Sequence, residues 1–428
     1  MKAPSTSVRP AQLRQSLEAA VVAESSKVVD LARVLVAVPS AYPPGNTHEM
    51  ASRVAEAFAG YSVEISRHVT RPHVANLVVR VRGGRPGRRL VFNGHLDTFP
   101  LVNADRWTKD PAGEVCGERL YGLGVSDMKG GVAAIVFAMR HLSQIRASLA
   151  GEIVATFVGD EESMGEEGTA WLLSNVAEAT GDAMISADTG SPQILRFGEK
   201  GMIWLRLSTF GKSAHAAHVH KGISAIDRLL HVLHDIKYIE DLPVEAPDAV
   251  TAEILKAADV SERISGRGET EVLRKVTVTF GTIEGGTLPN LIADRATATA
   301  DIRIPVGVST GQVKARLTEV LARQEGVAVD IVRCYESTWT PPDHEIVQVL
   351  RSACRSRLGV DPVLNMRVGA SDARLYRRTG VPSVVCGLTA YNMGAADEYV
   401  MVDELRALGE IYALTAFDYL AGPVGSSK

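Results

Sequence analysis

Two short fragments of the sequence contain residue types that bind metal ions. The first contains His95 and Asp97, directly after the apolar run at residues 89–93. Such a run is typical of a buried strand, so both side chains are expected where the strand passes into a loop. Residues two apart on an extended chain face the same side, which lets the Asp97 carboxylate hold one imidazole nitrogen while the other binds a metal ion. The spacing therefore predicts a metal ligand, His95, and its orienting partner, Asp97.

The second fragment places Asp127 just before small and apolar residues at helical spacing, 132–142. Alone, this carboxylate could be a helix cap, and the three acids at residues 160–162 could be a solvated loop. However, these acids and Asp188 each follow a predicted strand. Acids crowded at strand ends are costly unless a cation lies among them. We therefore predict a metal site at the edge of an α/β sheet where ligands usually bind. Four places deliver an imidazole or carboxylate to it: His95, Asp127, Glu161 with Glu162, and Asp188.

Taken together, the fragments resemble the M20 family of metallohydrolases, which includes carboxypeptidases, aminoacylases and deacylases. The similarity rests on Gly-His-Leu-Asp-Thr-Phe-Pro from Gly94, Ser-Asp-Met-Lys-Gly-Gly from Ser126, Asp-Glu-Glu-Ser-Met-Gly from Asp160, and Asp188. It spans nearly the whole chain, from residues 36–46 to 397–400. Each motif is weak alone, but the set is specific.

The resemblance implies a role for each residue of the site. His95, Asp127 and Asp188 would be the three ligands that a catalytic metal ion commonly has. Asp127 would bridge two metal ions, and Glu162 with a histidine near the C-terminus would complete the second ion's ligands. Glu161 would be the general base that accepts a proton from metal-activated water. The chain departs from the family pattern His-x-x-Asp-Glu-Tyr, because Gly394 stands three residues before Asp397. We therefore expect one tightly bound divalent ion, Mn or Zn, with Asn392 or a lid histidine as possible substitutes for the missing ligand.

Three further residues match family positions that act on the substrate. His215 resembles the lid histidine that holds the developing oxyanion; His218 and His220 lie nearby without an assigned role. Asn290 is expected to contact substrate, or else to be a turn residue after Pro289. Arg374 is expected to bind a substrate carboxylate, with a surface ion pair to Asp372 as the alternative.

The pattern of strands and helices predicts two domains. Strands and helices alternate up to Asp188, which predicts an α/β catalytic domain with a mixed, mostly parallel sheet flanked by helices. The later pattern predicts an inserted α+β lid domain, an antiparallel sheet with two helices. We place the catalytic domain at residues 1–197 and 334–428 and the lid at 198–333, and the resemblance implies that the lid carries a homodimer contact. The elements predicted are helices at 12–38, 47–59, 132–142, 223–239 and 313–323, and strands at 63–65, 75–81, 89–93, 152–158, 183–187, 202–207, 275–280 and 296–304.

Composition narrows the class of partner. A chain of 428 residues is long for one core, and its formal net charge of −4 gives no basis for binding nucleic acid or an anionic membrane. We therefore expect a small-molecule substrate. The N-terminus lacks the apolar core of a secretory signal, and no run approaches the ~20 apolar residues of a membrane span, so we expect a cytoplasmic protein. The four cysteines form no Cys-x-x-Cys pair and are expected to be buried reduced thiols.

The function that these observations favour is a metal-dependent hydrolase that cleaves a C–N bond of a small carboxylate-bearing compound, by default an N-acyl amino acid. Because this histidine is missing, a second activity is also possible from the sequence: an aminohydrolase that displaces an amine from an activated aromatic ring. In this respect the chain resembles the 5-nitroanthranilate aminohydrolase branch of the family. A third alternative is a non-catalytic binding protein of the same fold.

Overall fold

The chain divides into two compact units. The computed structural model describes residues 10–421. The first unit comprises the residues up to Gly198, Trp339–Asn365 and the residues from Ser371 onward; the second comprises Glu199–Thr338 and Met366–Ala370. Compared with the predicted lid at 198–333, the second unit begins one residue later and adds residues 334–338 and 366–370.

The elements, numbered along the chain, cover most of the described residues. The strands are β1 (Glu64–Arg71), β2 (Val74–Arg82), β3 (Arg85–His95), β4 (Glu114–Cys116), β5 (Arg119–Tyr121), β6 (Ala150–Val158), β7 (Ala183–Ser186), β8 (Ile194–Glu199), β9 (Gly201–Phe210), β10 (Thr277–Gly285), β11 (Arg295–Ile304), β12 (Val327–Tyr335), β13 (Thr338–Trp339), β14 (Val363–Arg367), β15 (Ser383–Val385) and β16 (Tyr399–Met401). The helices are α1 (Pro10–Ala23), α2 (Ser26–Val36), α3 (His48–Ala57), α4 (Gly130–Gln144), α5 (Thr169–Asn175), α6 (Ala225–Lys237), α7 (Asp248–Ser265), α8 (Glu269–Leu273), α9 (Thr310–Leu321), α10 (Glu345–Leu358), α11 (Ala373–Arg378) and α12 (Val402–Ala421). Among the residues described, no helix is long and apolar enough to cross a membrane.

The large sheet of the first unit has the order β1-β2-β6-β3-β7-β15-β8-β13, with β14 beside β8. It is mixed: β6, β3, β7 and β15 run parallel, whereas β1 and β2 pair antiparallel on one side and β8 on the other. Because β3, β6 and β7 are parallel neighbours, their carboxyl ends lie at one edge of the sheet. His95 ends β3, Asp160 lies two residues beyond β6 and Asp188 lies two residues beyond β7. The fold therefore brings these three chain segments to the same edge of the sheet. The mixed, mostly parallel sheet with flanking helices confirms the predicted fold class.

Helix α4 brings Asp127 to the same edge. It is buried along nearly its whole length, and α2 and α12 pack against it. At its first turn, a side chain on Gly131 would place its Cβ 2.4 Å from the carbonyl oxygen of Ala187. Only glycine therefore lets this helix begin against the segment that carries Asp188.

The second unit has an antiparallel sheet of order β10-β11-β9-β12. Residues of α6 and α9 share one apolar core with β9, β10 and β11, as predicted for an α+β domain with two helices. The unit also contains α7, α8 and the edge strand β12, none of which the sequence analysis predicted. No residue of β12 is buried, and exposed residues alternate with partly buried ones only at its start, so its pattern is weak.

All four cysteines are free, as expected, but they are not all buried. Cys354 and Cys386 are buried, Cys334 is partly exposed and Cys116 is exposed. The expectation of burial was therefore wrong for Cys116, which lies on the short strand β4 and not in the core.

Candidate metal centre

The structure brings His95, Asp127 and Asp188 together. Their side chains come from the end of β3, from the irregular turn that precedes α4, and from the segment after β7. All three residues are buried, with 2%, 8% and 2% exposure respectively. One ligand atom from each lies within 4.8 Å of those of the other two. One imidazole and two carboxylates at this spacing suit a divalent cation.

His95 is held in the orientation that a metal ligand needs. Its Nδ1 lies 2.9 Å from the backbone oxygen of Asp97, and its Nε2 lies 2.8 Å from Oδ1 of Asp127. With the Nδ1 proton donated to a carbonyl, Nε2 is the nitrogen available for an ion. Burial alone would lower the pKa of His95, but the hydrogen bond and charge of Asp127 and the charge of Asp97 outweigh it and raise this pKa well above its usual value.

Asp97 lies where the sequence predicted but makes different contacts. Its Oδ1 is 3.6 Å from His95 Nδ1, so its carbonyl, and not its carboxylate, is the closer partner of the imidazole. The carboxylate accepts hydrogen bonds from the backbone amides of Glu161, at 3.3 Å, and Glu162, at 3.0 Å. Complete burial raises the pKa of Asp97 to about 6, although the nearby His95 favours the charged form. Asp97 therefore fixes the segment that follows β6.

Glu161 and Glu162 stand on a short turn, Glu161–Ser163, beside the three clustered residues. Burial, followed by the charge of Asp188, raises the pKa of Glu161 well above its usual value. Burial, followed by the charge of Asp127, raises the pKa of Glu162 to about 8. Oε1 of Glu162 is buried without a hydrogen-bond partner among the described residues. A cation would stabilise these carboxylates and give this oxygen a partner, so the residues present fit a divalent metal.

Sequence reasoning overlooked the role of Glu398. This residue is 2% exposed, and its carboxylate accepts hydrogen bonds from the backbone amides of Gly124 and Ser126 and from the Ser126 hydroxyl, at 3.0, 2.9 and 2.6 Å. Ser126 directly precedes Asp127, so Glu398 fixes the turn that presents this ligand. The Asp-Glu-Tyr tripeptide at residues 397–399 is the signal in the sequence that points to this residue.

The segment around Gly394 lacks the family's histidine, as the sequence indicated. Gly394 has a φ of 70°, and a Cβ added there would come no closer than 4.0 Å to any neighbour considered, the ring of Phe99. Asn392, one suggested substitute, donates its side-chain amide to the backbone oxygen of Asp397 at 3.2 Å and is exposed. Asp397 in turn accepts the amides of Thr108 and Lys109, which fixes the segment without an imidazole.

Arg374 is buried, with 2% exposure, and bonds to the protein backbone. Its guanidinium donates to the carbonyl oxygens of Ser371 and Met164, each at 2.6 Å. Asp372 Oδ1 is 4.0 Å from the guanidinium, so the predicted ion pair is present, but both residues are buried and the pair does not lie at the surface. Met164 follows the Glu161–Ser163 turn and has a φ of 87°. The contacts seen therefore anchor the turn that carries the two glutamates.

His215 and Asn290 belong to the second unit and lie side by side there. Both are exposed, and the backbone amide of Ala216 donates to the carbonyl oxygen of Asn290 at 2.9 Å. Nδ1 of His215 accepts the backbone amide of Ala217 at 3.1 Å. Neutral His215 therefore carries its proton on Nε2.

Comparison with known proteins identifies the family. The model of peptidase family M20/M25/M40 matches residues 91–418. The chain belongs to the M20 peptidase family. Succinyl-diaminopimelate desuccinylase of Cereibacter sphaeroides is similar to this M20 chain, with 31% identity over 414 residues that cover 92% of the chain and 99% of the relative.

Solved structures of other M20 proteins share the fold. A metallo-carboxypeptidase from Sulfolobus solfataricus has a TM-score of 0.78 at 17% identity and covers 92% of this chain and 99% of its own. The Bacillus subtilis YXEP protein, a dinuclear metal-binding M20 peptidase, has a TM-score of 0.63 at 14% identity. The match covers 93% of this chain and 99% of the YXEP chain. Membership of M20 makes this protein a metal-dependent C–N hydrolase, and the cluster of His95, Asp127 and Asp188 fits a metal ion. The alternative of a non-catalytic binding protein has no support.

Proposed function

We propose that this M20 hydrolase cleaves the amide C–N bond of a small, carboxylate-bearing substrate of the N-acyl amino acid class. The observation that carries the proposal is the cluster of His95, Asp127 and Asp188, with ligand atoms within 4.8 Å of one another and the charge of Asp188 acting on Glu161. Similarity to a protein named a desuccinylase supports an acyl group on a small amine as the substrate.

Proton transfer is the task that we assign to Glu161. A divalent ion held by the three ligands would supply an acidified water and polarise the scissile carbonyl. Glu161 accepts the proton of that water and then donates it to the leaving amine. In the metal-free protein, burial, followed by the charge of Asp188, raises the pKa of this carboxyl group above its usual value.

His215 is the candidate for stabilising the oxyanion. The Ala217 amide donates to Nδ1, which leaves Nε2–H as a hydrogen-bond donor. A donor of this kind stabilises the negative charge that develops on the carbonyl oxygen. We assign Asn290, whose carbonyl holds the His215 loop, to substrate contact. Binding of the substrate carboxylate by Arg374 stays a prediction, since the contacts of Arg374 support a positioning role.

We propose one tightly bound ion, Mn or Zn. A second ion would have Asp127 and Glu162 as ligands but no imidazole at Gly394, and two hard carboxylates hold a cation weakly. The dinuclear character of the YXEP protein gives the opposite expectation. Metal analysis after exhaustive dialysis decides between them: one equivalent per chain supports the proposal, and two tightly retained equivalents contradict it.

We further propose that the second unit serves as the lid and carries a homodimer contact. Strand β12 lies at the edge of the sheet, where Ile331 and Val332 are 44% and 49% exposed. An exposed apolar edge strand favours pairing with another chain. Light scattering after size exclusion should give twice the chain mass of 45.8 kDa. The double substitution Ile331→Lys and Val332→Lys should lower it to one chain mass, and an unchanged dimer would exclude this strand.

A second candidate activity is the displacement of an amine from an activated aromatic ring. The observation that favours it is again Gly394, because the chain departs there from the histidine of the family pattern. Incubation with N-acyl amino acids and with aromatic amines separates the two activities. Release of a free carboxylic acid identifies amide hydrolysis, whereas ammonia together with a hydroxylated ring identifies the aminohydrolase.

The substitution Glu161→Gln tests the assignment of the base. It keeps the shape of the side chain but removes the proton acceptor, and we expect kcat to fall about 10²–10⁴-fold with metal content unchanged. Glu118→Gln, at an exposed glutamate on a turn, is the matched control and should leave kcat unchanged. Full activity of Glu161→Gln would refute the role of Glu161.

A further inference from the structure

Three histidines lie on one short loop of the second unit. His215, His218 and His220 are all exposed, and only His215 has a part in the proposed chemistry. The ring centres of His215 and His218 are 6.1 Å apart, and those of His218 and His220 are 6.0 Å apart. The His218 ring thus lies at a similar distance from each of the other two imidazole rings.

The backbone of this loop is held at both ends. At its base, Lys212 and Ile223 exchange two backbone hydrogen bonds, of 2.8 and 2.9 Å. Near His215, the Ala216 amide donates to the Asn290 carbonyl at 2.9 Å, and the His218 amide donates to the His215 carbonyl at 2.8 Å. The three imidazoles therefore start from fixed backbone positions, and binding a common ligand would restrict only their side-chain torsions.

We propose that His215, His218 and His220 bind a Zn²⁺ ion that inhibits the enzyme. With Zn–N bonds of 2.0–2.1 Å and tetrahedral angles, two imidazoles on one ion have ring centres about 5 Å apart. Each observed gap thus has to close by about 1 Å, which exposed side chains achieve by rotation. The inference rests on the proposed function only for its inhibitory effect; binding of the ion depends on the loop alone.

The chemistry of the two sites gives them different preferences. Imidazole ligands favour Zn²⁺, Cu²⁺ and Ni²⁺, whereas carboxylates also accept Mn²⁺. The catalytic cluster has two carboxylates and one imidazole, and the loop offers three imidazoles. Zn²⁺ binds nitrogen and oxygen ligands more tightly than Mn²⁺, so added Zn²⁺ would fill the catalytic centre as well as the loop, whereas Mn²⁺ would leave the loop unoccupied.

Inhibition follows from the tautomer of His215. While the Ala217 amide donates to Nδ1 of His215, the ring proton stays on Nε2, from which it can donate a hydrogen bond to the oxyanion. Binding of Zn²⁺ through Nε2 requires the neutral ring to carry its proton on Nδ1 instead, which removes the donor. A protonated Nδ1 can no longer accept the Ala217 amide, so this hydrogen bond breaks and we expect binding weaker than at the catalytic centre.

Dialysis of the full-length enzyme, with its catalytic centre already filled with Zn²⁺, against graded Zn²⁺ tests the site, with bound Zn²⁺ measured in each sample. We expect one further Zn²⁺ per chain to be taken up beyond the catalytic ion. His218→Ala and His220→Ala should each weaken this uptake by about tenfold or more. His231→Ala, at an exposed histidine of α6 outside the loop, is the matched control and should bind Zn²⁺ as the unmodified protein does.

Two outcomes would overturn the proposal: equal uptake of the further Zn²⁺ by all four proteins, or no uptake beyond the catalytic ion. Activity gives a separate readout, since the further Zn²⁺ should inhibit the unmodified enzyme over the range in which the loop fills and should not inhibit His218→Ala in that range. Loop binding without inhibition would support the Zn²⁺ site and refute the role of His215. Asp188→Ala should lose the catalytic Zn²⁺ but keep the loop site, which separates failure of one site from failure of the other.

Discussion

The backbone amide of Glu162 donates a hydrogen bond of 3.0 Å to the carboxylate of Asp97. The Glu161 amide donates to the other oxygen of the same carboxylate at 3.3 Å. Asp97 lies two residues after His95, whose Nδ1 it holds through its carbonyl oxygen. One residue thus joins a metal ligand to the segment that carries the proposed base.

Replacing Asp97 should separate that base from the metal ligand. In Asp97→Ala the two amides lose their acceptor, so Glu161 is no longer held in place. We expect kcat/KM to fall about 10–100-fold, the usual cost of losing a residue that orients metal ligands. Asp105→Ala, at an exposed acid of the next loop, should keep full activity. Equal steady-state kinetics for the two variants would show that Asp97 has no positioning role.

Glu398 should control metal affinity. Its carboxylate binds the amides of Gly124 and Ser126 and the Ser126 hydroxyl, next to the ligand Asp127. Glu398→Ala should weaken metal binding about 10–100-fold, and Glu398→Gln, which keeps an acceptor oxygen, should lose less. Calorimetric titration of the metal-free proteins measures this, with Asp403→Ala, at an acid whose side chain is 83% exposed, as control. The prediction fails if Glu398→Ala binds metal as tightly as the control.

Metal affinity should rise with pH. In the metal-free protein, Asp127 and Asp97 overcome the effect of burial and raise the pKa of His95 well above its usual value, so this imidazole keeps its proton to a higher pH. An ion binds only the neutral ring, so it must displace that proton, and competition weakens binding as pH falls. Calorimetry in buffers of different protonation enthalpy should show protons released on binding. Affinity that is constant across the neutral pH range, without proton release, would contradict this account of His95.

Removal of the metal should destabilise the first unit. An ion that binds only the folded protein stabilises it by about 2.7 kcal/mol at a concentration of 100 Kd. We expect a chelator to lower the Tm and Mn²⁺ to restore it. In Asp188→Ala, one of the three clustered ligands is missing, and Mn²⁺ should leave the Tm unchanged. An equal Mn²⁺-induced rise in Asp188→Ala would mean that the stabilising ion binds elsewhere.

The sequence predicted those features of the fold and of the site that depend on the local pattern of apolar residues. The strands that end near His95, Asp160 and Asp188 have strong apolar runs, and parallel pairing then brings their ends together. The hydrogen bonds that the sequence did not predict join residues that are far apart in the chain. The Asp97 carboxylate meets amides 64 and 65 residues away, and Arg374 meets a carbonyl 210 residues away. Spacing along the chain indicates which residues share a strand, but it does not specify such partners.

Anomalous diffraction from a crystal of the Mn²⁺-loaded protein tests the central claim most directly. The account predicts a strong peak at bonding distance, about 2 Å, from Nε2 of His95 and from carboxylate oxygens of Asp127 and Asp188. A peak away from these three side chains, or no peak among them in a crystal soaked with excess Mn²⁺, would contradict it.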